Sequence, residues 1–145
     1  MSKEEVKITL LRAQTDTHVD LPLVGSGVSA GFPSPADDFI EGSIDLNKLL
    51  IRDPAATFFA RVAGDSMRDD GIYDGNLLVV EKKMKPCEGD IVVCYLNGEF
   101  TLKRLEHHDD KIFLMPANPK YQPIEVSPDD ELIVWGTVIA SINLF

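Results

Sequence analysis

Residues 91–105 read IVVCYLNGEFTLKRL, and they decide the fold. Two apolar runs flank Asn97-Gly98, the pair most favoured in a two-residue hairpin loop because both central positions need positive φ. Such a loop fixes the register: Leu96 faces Glu99, Tyr95 faces Phe100, Cys94 faces Thr101 and Val92 faces Lys103. Alternation then puts Lys103 on one face with Val92, Cys94 and Thr101. A lysine with an apolar cross-strand partner is a candidate for desolvation.

Outward from the hairpin the texture repeats. Short apolar runs at residues 58–62, 77–80, 111–115 and 132–142 alternate with turn signals such as Gly64-Asp65, Asp74-Gly75, Gly89-Asp90 and Asp109-Asp110. Runs of this length, rich in Val and Ile, predict a mostly β domain. Asp45 stands before Leu46, Leu49 and Leu50, and Pro54 follows. That pattern predicts one short helix over about residues 45–52. Residues 1 to about 40 read differently. The stretch LPLVGSGVSAGFPSPADD (21–38) mixes Gly25, Gly27 and Gly31 with Pro22, Pro33 and Pro35, residues that interrupt both helices and sheet ladders. The expected division is a flexible, extended N-terminal arm over 1–40 and a β-rich body over 41–145. Within the arm, VKITLLRAQ (6–14) reads as a short strand.

A chain of 145 residues suits one domain with an arm and is too short for two full cores. Lys and Arg number 14 against 24 Asp and Glu, a net charge of −10. Binding nucleic acid through its phosphates needs a basic face, so direct DNA binding is not expected. The opening MSKEEVKITL has no apolar signal core, and no apolar run approaches the ~20 residues that span a bilayer. A cytoplasmic protein without a membrane segment is expected. Cys87 and Cys94 belong to no CxxC, so both are expected as free structural thiols.

Three features can carry chemistry. Gly64-Asp65-Ser66-Met67 stands at a strand end. A serine on a tight turn, with its N–H beside that of Met67, can be a nucleophile and part of an anion-binding nest; it can equally cap the turn. Its base would be a histidine or a lysine. His18 stands in the arm, and His107-His108 precede Asp109-Asp110 in a hairpin turn. A Ser-His-Asp triad would then sit on a loop tip, where a solvated turn is the plainer reading, and no spacing suggests a metal site. A free lysine gives up its proton at neutral pH at a cost of about 4 kcal/mol, which burial can supply. Lys103 has that setting, although a solubilising edge lysine is the commoner case. Ala30-Gly31, between Ser29 and Phe32-Pro33, would let an extended backbone lie deep in a narrow cleft, or would simply be linker.

Together Ala30-Gly31, Gly64-Asp65-Ser66-Met67 and Phe100-Thr101-Leu102-Lys103-Arg104 resemble the LexA/UmuD family of self-cleaving serine peptidases. The resemblance runs from about Leu21 to the C-terminus and is nearest to the UmuD branch, since only 30 residues precede Gly31, too few for a helix-turn-helix domain. It implies a fold of short, strongly bent sheets. It also implies cleavage at Ala30-Gly31, Ser66 as nucleophile and Lys103 as general base, without metal or cofactor. Backbone N–H groups of Ser66 and Met67 are candidates for the oxyanion site. The implied setting is a homodimer stimulated by a RecA–single-stranded DNA filament after DNA damage. The processed form would join a UmuC-like Y-family polymerase in translesion synthesis. A non-cleaving interaction module, or a phage-type repressor relative lacking its DNA-binding domain, remain alternatives. Finally, SINLF (141–145) loosely resembles peptides that dock in the bacterial sliding clamp, while a terminal strand burying Ile142 and Leu144 is the simpler expectation.

Overall fold

The structure, a computed structural model, describes residues 7–16, 20–24, 40–83 and 85–145. In chain order the elements are β1 (Lys7–Arg12), β2 (Asp20–Val24), β3 (Ile40–Asp45), α1 (Leu46–Leu50), β4 (Thr57–Ala63), β5 (Leu77–Glu81), β6 (Ile91–Leu96), β7 (Glu99–His108), β8 (Lys111–Met115), β9 (Ile124–Val126) and β10 (Leu132–Ile142). Single 3-10 turns stand at Pro54–Ala56 and Arg68–Asp70. The described residues are mostly β with one short α-helix, as the sequence predicts. It divides into two compact units, Met1–Ala13 with Asp53–Phe145, and Gln14–Arg52.

In the smaller unit β2 and β3 pair antiparallel, and α1 follows directly. Asp45 caps it as expected: its Oδ1 accepts from the Asn47 N–H at 3.0 Å. Leu46 and Leu49 remain exposed, so the apolar stripe that predicts the helix is not matched by burial of those two side chains.

The larger unit is one sheet of eight strands in the order β1-β4-β5-β10-β6-β7-β8-β9. Every pairing is antiparallel. β1 touches β7 although β4, β5, β10 and β6 lie between them in the order, so the sheet curls. Two apolar clusters follow, and β6 feeds both. Val93 joins Ala60, Val62, Met67, Ile72, Leu78, Val80 and Leu102. Val92 and Cys94 join Leu105 and Leu114. A strand covered on both faces needs apolar residues in succession, which explains the unbroken Val92-Val93-Cys94.

The hairpin register holds at every expected pair, from Leu96 with Glu99 to Val92 with Lys103. Asn97 and Gly98 take φ of 48° and 93°. At the next hairpin the turn is Asp109-Asp110, both with positive φ, while His107 and His108 are the last residues of β7 and not part of the turn. The strand expected within residues 6–14 spans Lys7–Arg12 and pairs with β4. β2, β3 and β9 are absent from the sequence reading. β2 opens the stretch expected to interrupt sheet ladders, yet it pairs with β3 through Pro22 opposite Ser43. The three residues of β9 are too few to show periodicity.

Two expectations fail. Leu144 is 81% exposed and Phe145 fully so: β10 ends at Ile142, and the alternation that would bury Leu144 does not continue. Cys94 is buried but Cys87 is exposed, so only one of the two free thiols is a core residue.

Bulges in β10 between Val134 and Gly136, and between Val138 and Ala140, bend the strand where it serves β5 and β6 at once. A Cβ at Gly136 would stand 2.6 Å from the Glu81 carbonyl oxygen, a backbone atom that cannot step aside. Gly136→Ala is therefore expected to lower stability by about 2 kcal/mol, seen as a lower denaturant midpoint at unchanged slope.

Candidate active site

The site begins where β4 ends. Gly64 takes φ 112°, a value open to glycine, and its N–H donates to Asp74 Oδ1 at 2.9 Å. The chain then turns through Asp65 and Ser66 into the 3-10 turn of residues 68–70. Ser66 is 1% exposed and Met67 2%. The cap position of that turn belongs to Met67, with no side-chain hydrogen bond, so Ser66 is not the capping residue. Among the described residues neither the Ser66 nor the Met67 N–H donates to an acceptor.

A second loop clamps this turn from outside. Residues 116–121, after β8, present Ala117, whose N–H donates to the Ser66 carbonyl at 2.7 Å and whose carbonyl accepts from the Asp69 N–H at 2.7 Å. Asn118 Nδ2 donates to the Asp65 carbonyl at 2.9 Å. The Tyr121 hydroxyl donates to Asp65 Oδ1. That bond, aided by Lys120 and Arg68, holds the Asp65 carboxyl below its ordinary range despite an opposing contribution from burial. From the other side, Arg104 Nη2 and Nε reach Asp70 Oδ2 at 2.9 and 3.2 Å, and Nη1 donates to the Gly89 carbonyl.

Lys103 arrives from β7, an interior strand between β6 and β8, so it is not an edge lysine. It has 0% exposure and is the largest fully buried side chain described. Its Nζ lies 2.9 Å from Thr101 Oγ1, 3.1 Å from the Leu102 carbonyl and 3.5 Å from Ser66 Oγ. The last distance is at the outer limit of a hydrogen bond. Thus two residues 37 positions apart, singled out separately in the sequence, meet in a buried setting.

The other expected residues fall elsewhere. His107 Nδ1 pairs with Glu88 at 2.7 Å and His108 Nε2 with Glu106 at 2.9 Å, both histidines largely exposed. Both rings are engaged with glutamates and not with Ser66 among the described residues. His18, Ala30 and Gly31 lie outside the described residues. Among the described residues no group of three or more His, Cys, Asp or Glu could hold a metal ion, and no helix is long and apolar enough to cross a membrane. Sequence reasoning missed Asn118, Tyr121 and the holding role of Asp65. Pro116-Ala117-Asn118-Pro119 reads only as a loop, and Asn118 is 53 residues from the Asp65 carbonyl it meets.

A model of the peptidase S24-like family matches residues 22–139. The chain belongs to that family. Its peptidase S24-like relatives include SamA of Salmonella typhimurium, 48% identical over 84% of each chain. ImpA of Escherichia coli is 45% identical over 84% of this chain and 83% of its own. MucA of Escherichia coli is 39% identical over 84% of each. The LexA repressor of Bordetella avium is 40% identical over 85% of this chain but only 57% of the repressor. An S24-like chain with these relatives is a peptidase in kind, and its buried polar pair lies within the matched span.

Two outcomes check this geometry. A thiol reagent should modify Cys87 alone in the native protein and Cys94 only on unfolding. In Tyr121→Phe, the Asp65 carboxyl should titrate closer to its ordinary value, as followed by NMR. Because the native bond lowers that value, its contribution to stability is present above the unfolded-state pKa and is lost as pH falls through the native one; the variant should lose this part of the acid sensitivity.

Proposed function

We propose that this chain is a UmuD-type self-processing peptidase whose nucleophile is Ser66 and whose general base is Lys103, acting on its own Ala30-Gly31 bond. The observation that carries the reading is the buried Lys103 Nζ, 3.5 Å from Ser66 Oγ. Removal from water disfavours an ammonium. A neutral amine has two N–H bonds and one lone pair. Thr101 Oγ1 and the Leu102 carbonyl lie within reach as acceptors for those N–H bonds, and the lone pair can accept from the serine hydroxyl at 3.5 Å.

In the proposed reaction Lys103 Nζ takes the Ser66 proton as Oγ attacks the Ala30 carbonyl carbon. The oxyanion falls to the N–H groups of Ser66 and Met67, which have no acceptor among the described residues. As the tetrahedral intermediate collapses, the C–N bond breaks and the lysine proton passes to the Gly31 amine. Water then hydrolyses the Ala30 ester, again with Lys103 as base, and restores Ser66. The products are residues 1–30 and a form beginning at Gly31.

The biological setting follows the LexA/UmuD resemblance: a homodimer, stimulation by RecA–single-stranded DNA filaments in the response to DNA damage, and delivery of the processed form to a Y-family polymerase for error-prone synthesis. A filament that favours the cleavage-competent arrangement raises the rate by increasing its population. The exposed Leu144 and Phe145 support the sliding clamp as a further partner.

Raising the pH neutralises lysine, so the purified chain should cut itself at Ala30-Gly31 on alkaline incubation, as mass spectrometry would record. Filaments should produce the same cut at neutral pH. Ser66→Ala and Lys103→Ala should stay whole under both conditions. An intact wild-type chain would instead favour a non-cleaving interaction module, and cleavage lost in His107→Ala but kept in Lys103→Ala would favour the histidine base. Deleting Leu144 and Phe145 should weaken clamp binding at least tenfold in a direct titration; unchanged affinity removes the clamp from the list of partners.

A further inference from the structure

β1 is the outermost strand of the eight-stranded sheet, and it lies within residues 1–30. It pairs along its length with β4, from Lys7 with Ala63 to Arg12 with Phe58. Ile8 and Leu10 turn inward against the cluster containing Ala60 and Val62, while Thr9 and Leu11 are exposed. The segment that scission would discard is therefore also part of the body's sheet.

While the chain is intact, β1 is tethered and its pairing is intramolecular. Once the bond between residues 30 and 31 is cut, the same pairing becomes a bimolecular equilibrium and loses its effective concentration. Six residues and two half-buried apolar side chains are a small hold for a separate peptide, since short strand pairs are marginal in water. Departure of β1 leaves β4 with a row of unpaired N–H and C=O groups and uncovers the side of the Ala60–Val62 cluster. An edge of that kind recruits another strand.

We propose that scission at Ala30-Gly31 unmasks the β4 edge as a docking site for an extended segment of a partner protein. The inference rests on the self-cleavage reading above. The chemistry of the occupant is set by the strand it replaces. It carries apolar residues at alternate positions, where Ile8 and Leu10 stand, and a basic residue at each end, where Lys7 and Arg12 stand. Basic ends also suit a chain of net charge −10. In the intact chain β1 keeps the edge closed, so the interaction is available only after processing. Because Lys7 pairs with Ala63, one end of the bound segment would lie beside Gly64, at the start of the nucleophile turn.

The test uses the full chain carrying Ser66→Ala, with the recognition site of a sequence-specific protease in place of residues 28–33, cut from outside. Hydrogen exchange of the β4 amides that face β1 should quicken at least tenfold after the cut at micromolar protein. The labelled peptide KITLLR should bind the cut chain, restore that protection, and leave the uncut chain unbound. The same peptide with Ile8→Asp and Leu10→Asp should do neither. Unchanged exchange with residues 1–30 still co-eluting overturns the proposal, as does an opened edge that KITLLR fails to protect. Loss of the cooperative unfolding transition on cutting overturns it too, because the edge would then belong to no folded body. Since the cut is external, failure of alkaline self-cleavage overturns only the earlier reading, and a closed edge overturns only this one.

Discussion

A lysine held out of water in the middle of an antiparallel sheet is the constraint around which this molecule is arranged. Lys103 has 0% exposure on β7, opposite Val92, and such burial is unfavourable for a cation unless the surroundings supply partners. The sheet supplies them locally, through Thr101 one pleat away and the Leu102 carbonyl next door. Sealing the site requires apolar cover on both faces of β6 and β7, hence the two clusters that share those strands. It also requires the Ser66 turn to be brought close and kept there, which the loop after β8 and the Arg104–Asp70 pair do from two sides.

Much of this was readable in the chain because its causes are local. Asn97-Gly98 sets a turn by φ preference alone, and the turn sets the register that places Lys103 against Val92. Asp45 announces α1 by the same kind of short-range chemistry. What escaped depends on contacts across the sequence. Nothing in Pro116–Tyr121 says that Asn118 and Tyr121 close over Asp65, more than 50 residues earlier. The outer position of β1 follows from sheet order, which alternation does not encode. Leu144 looked buried because an apolar residue continuing a strand's alternation is usually covered, yet β10 stops at Ile142.

The electrostatics of the site are divided by the same geometry. Around Ser66 the charged groups are partly exposed and satisfied in pairs: Arg68 with Asp69, Arg104 with Asp70, and Asp65 with the Tyr121 hydroxyl. Each restrains the turn without bringing a formal charge to the serine oxygen. The histidines are likewise engaged with glutamates at the far end of β7. Lys103 Nζ is the ionisable group described beside the hydroxyl, at 3.5 Å and with 0% exposure of its residue.

Cys94 stands directly across the strand pair from Thr101, and Thr101 holds the amine of Lys103. The Cys94 side chain is fully buried on the face that Thr101 and Lys103 share. A core residue in that place acts as a tuning position. Exchanging it for a smaller or larger residue changes the packing of that shared face while leaving every polar group of the site in the sequence unchanged. Divergence among proteins of this architecture could therefore adjust the chemistry through an apolar substitution that no inventory of polar residues would notice.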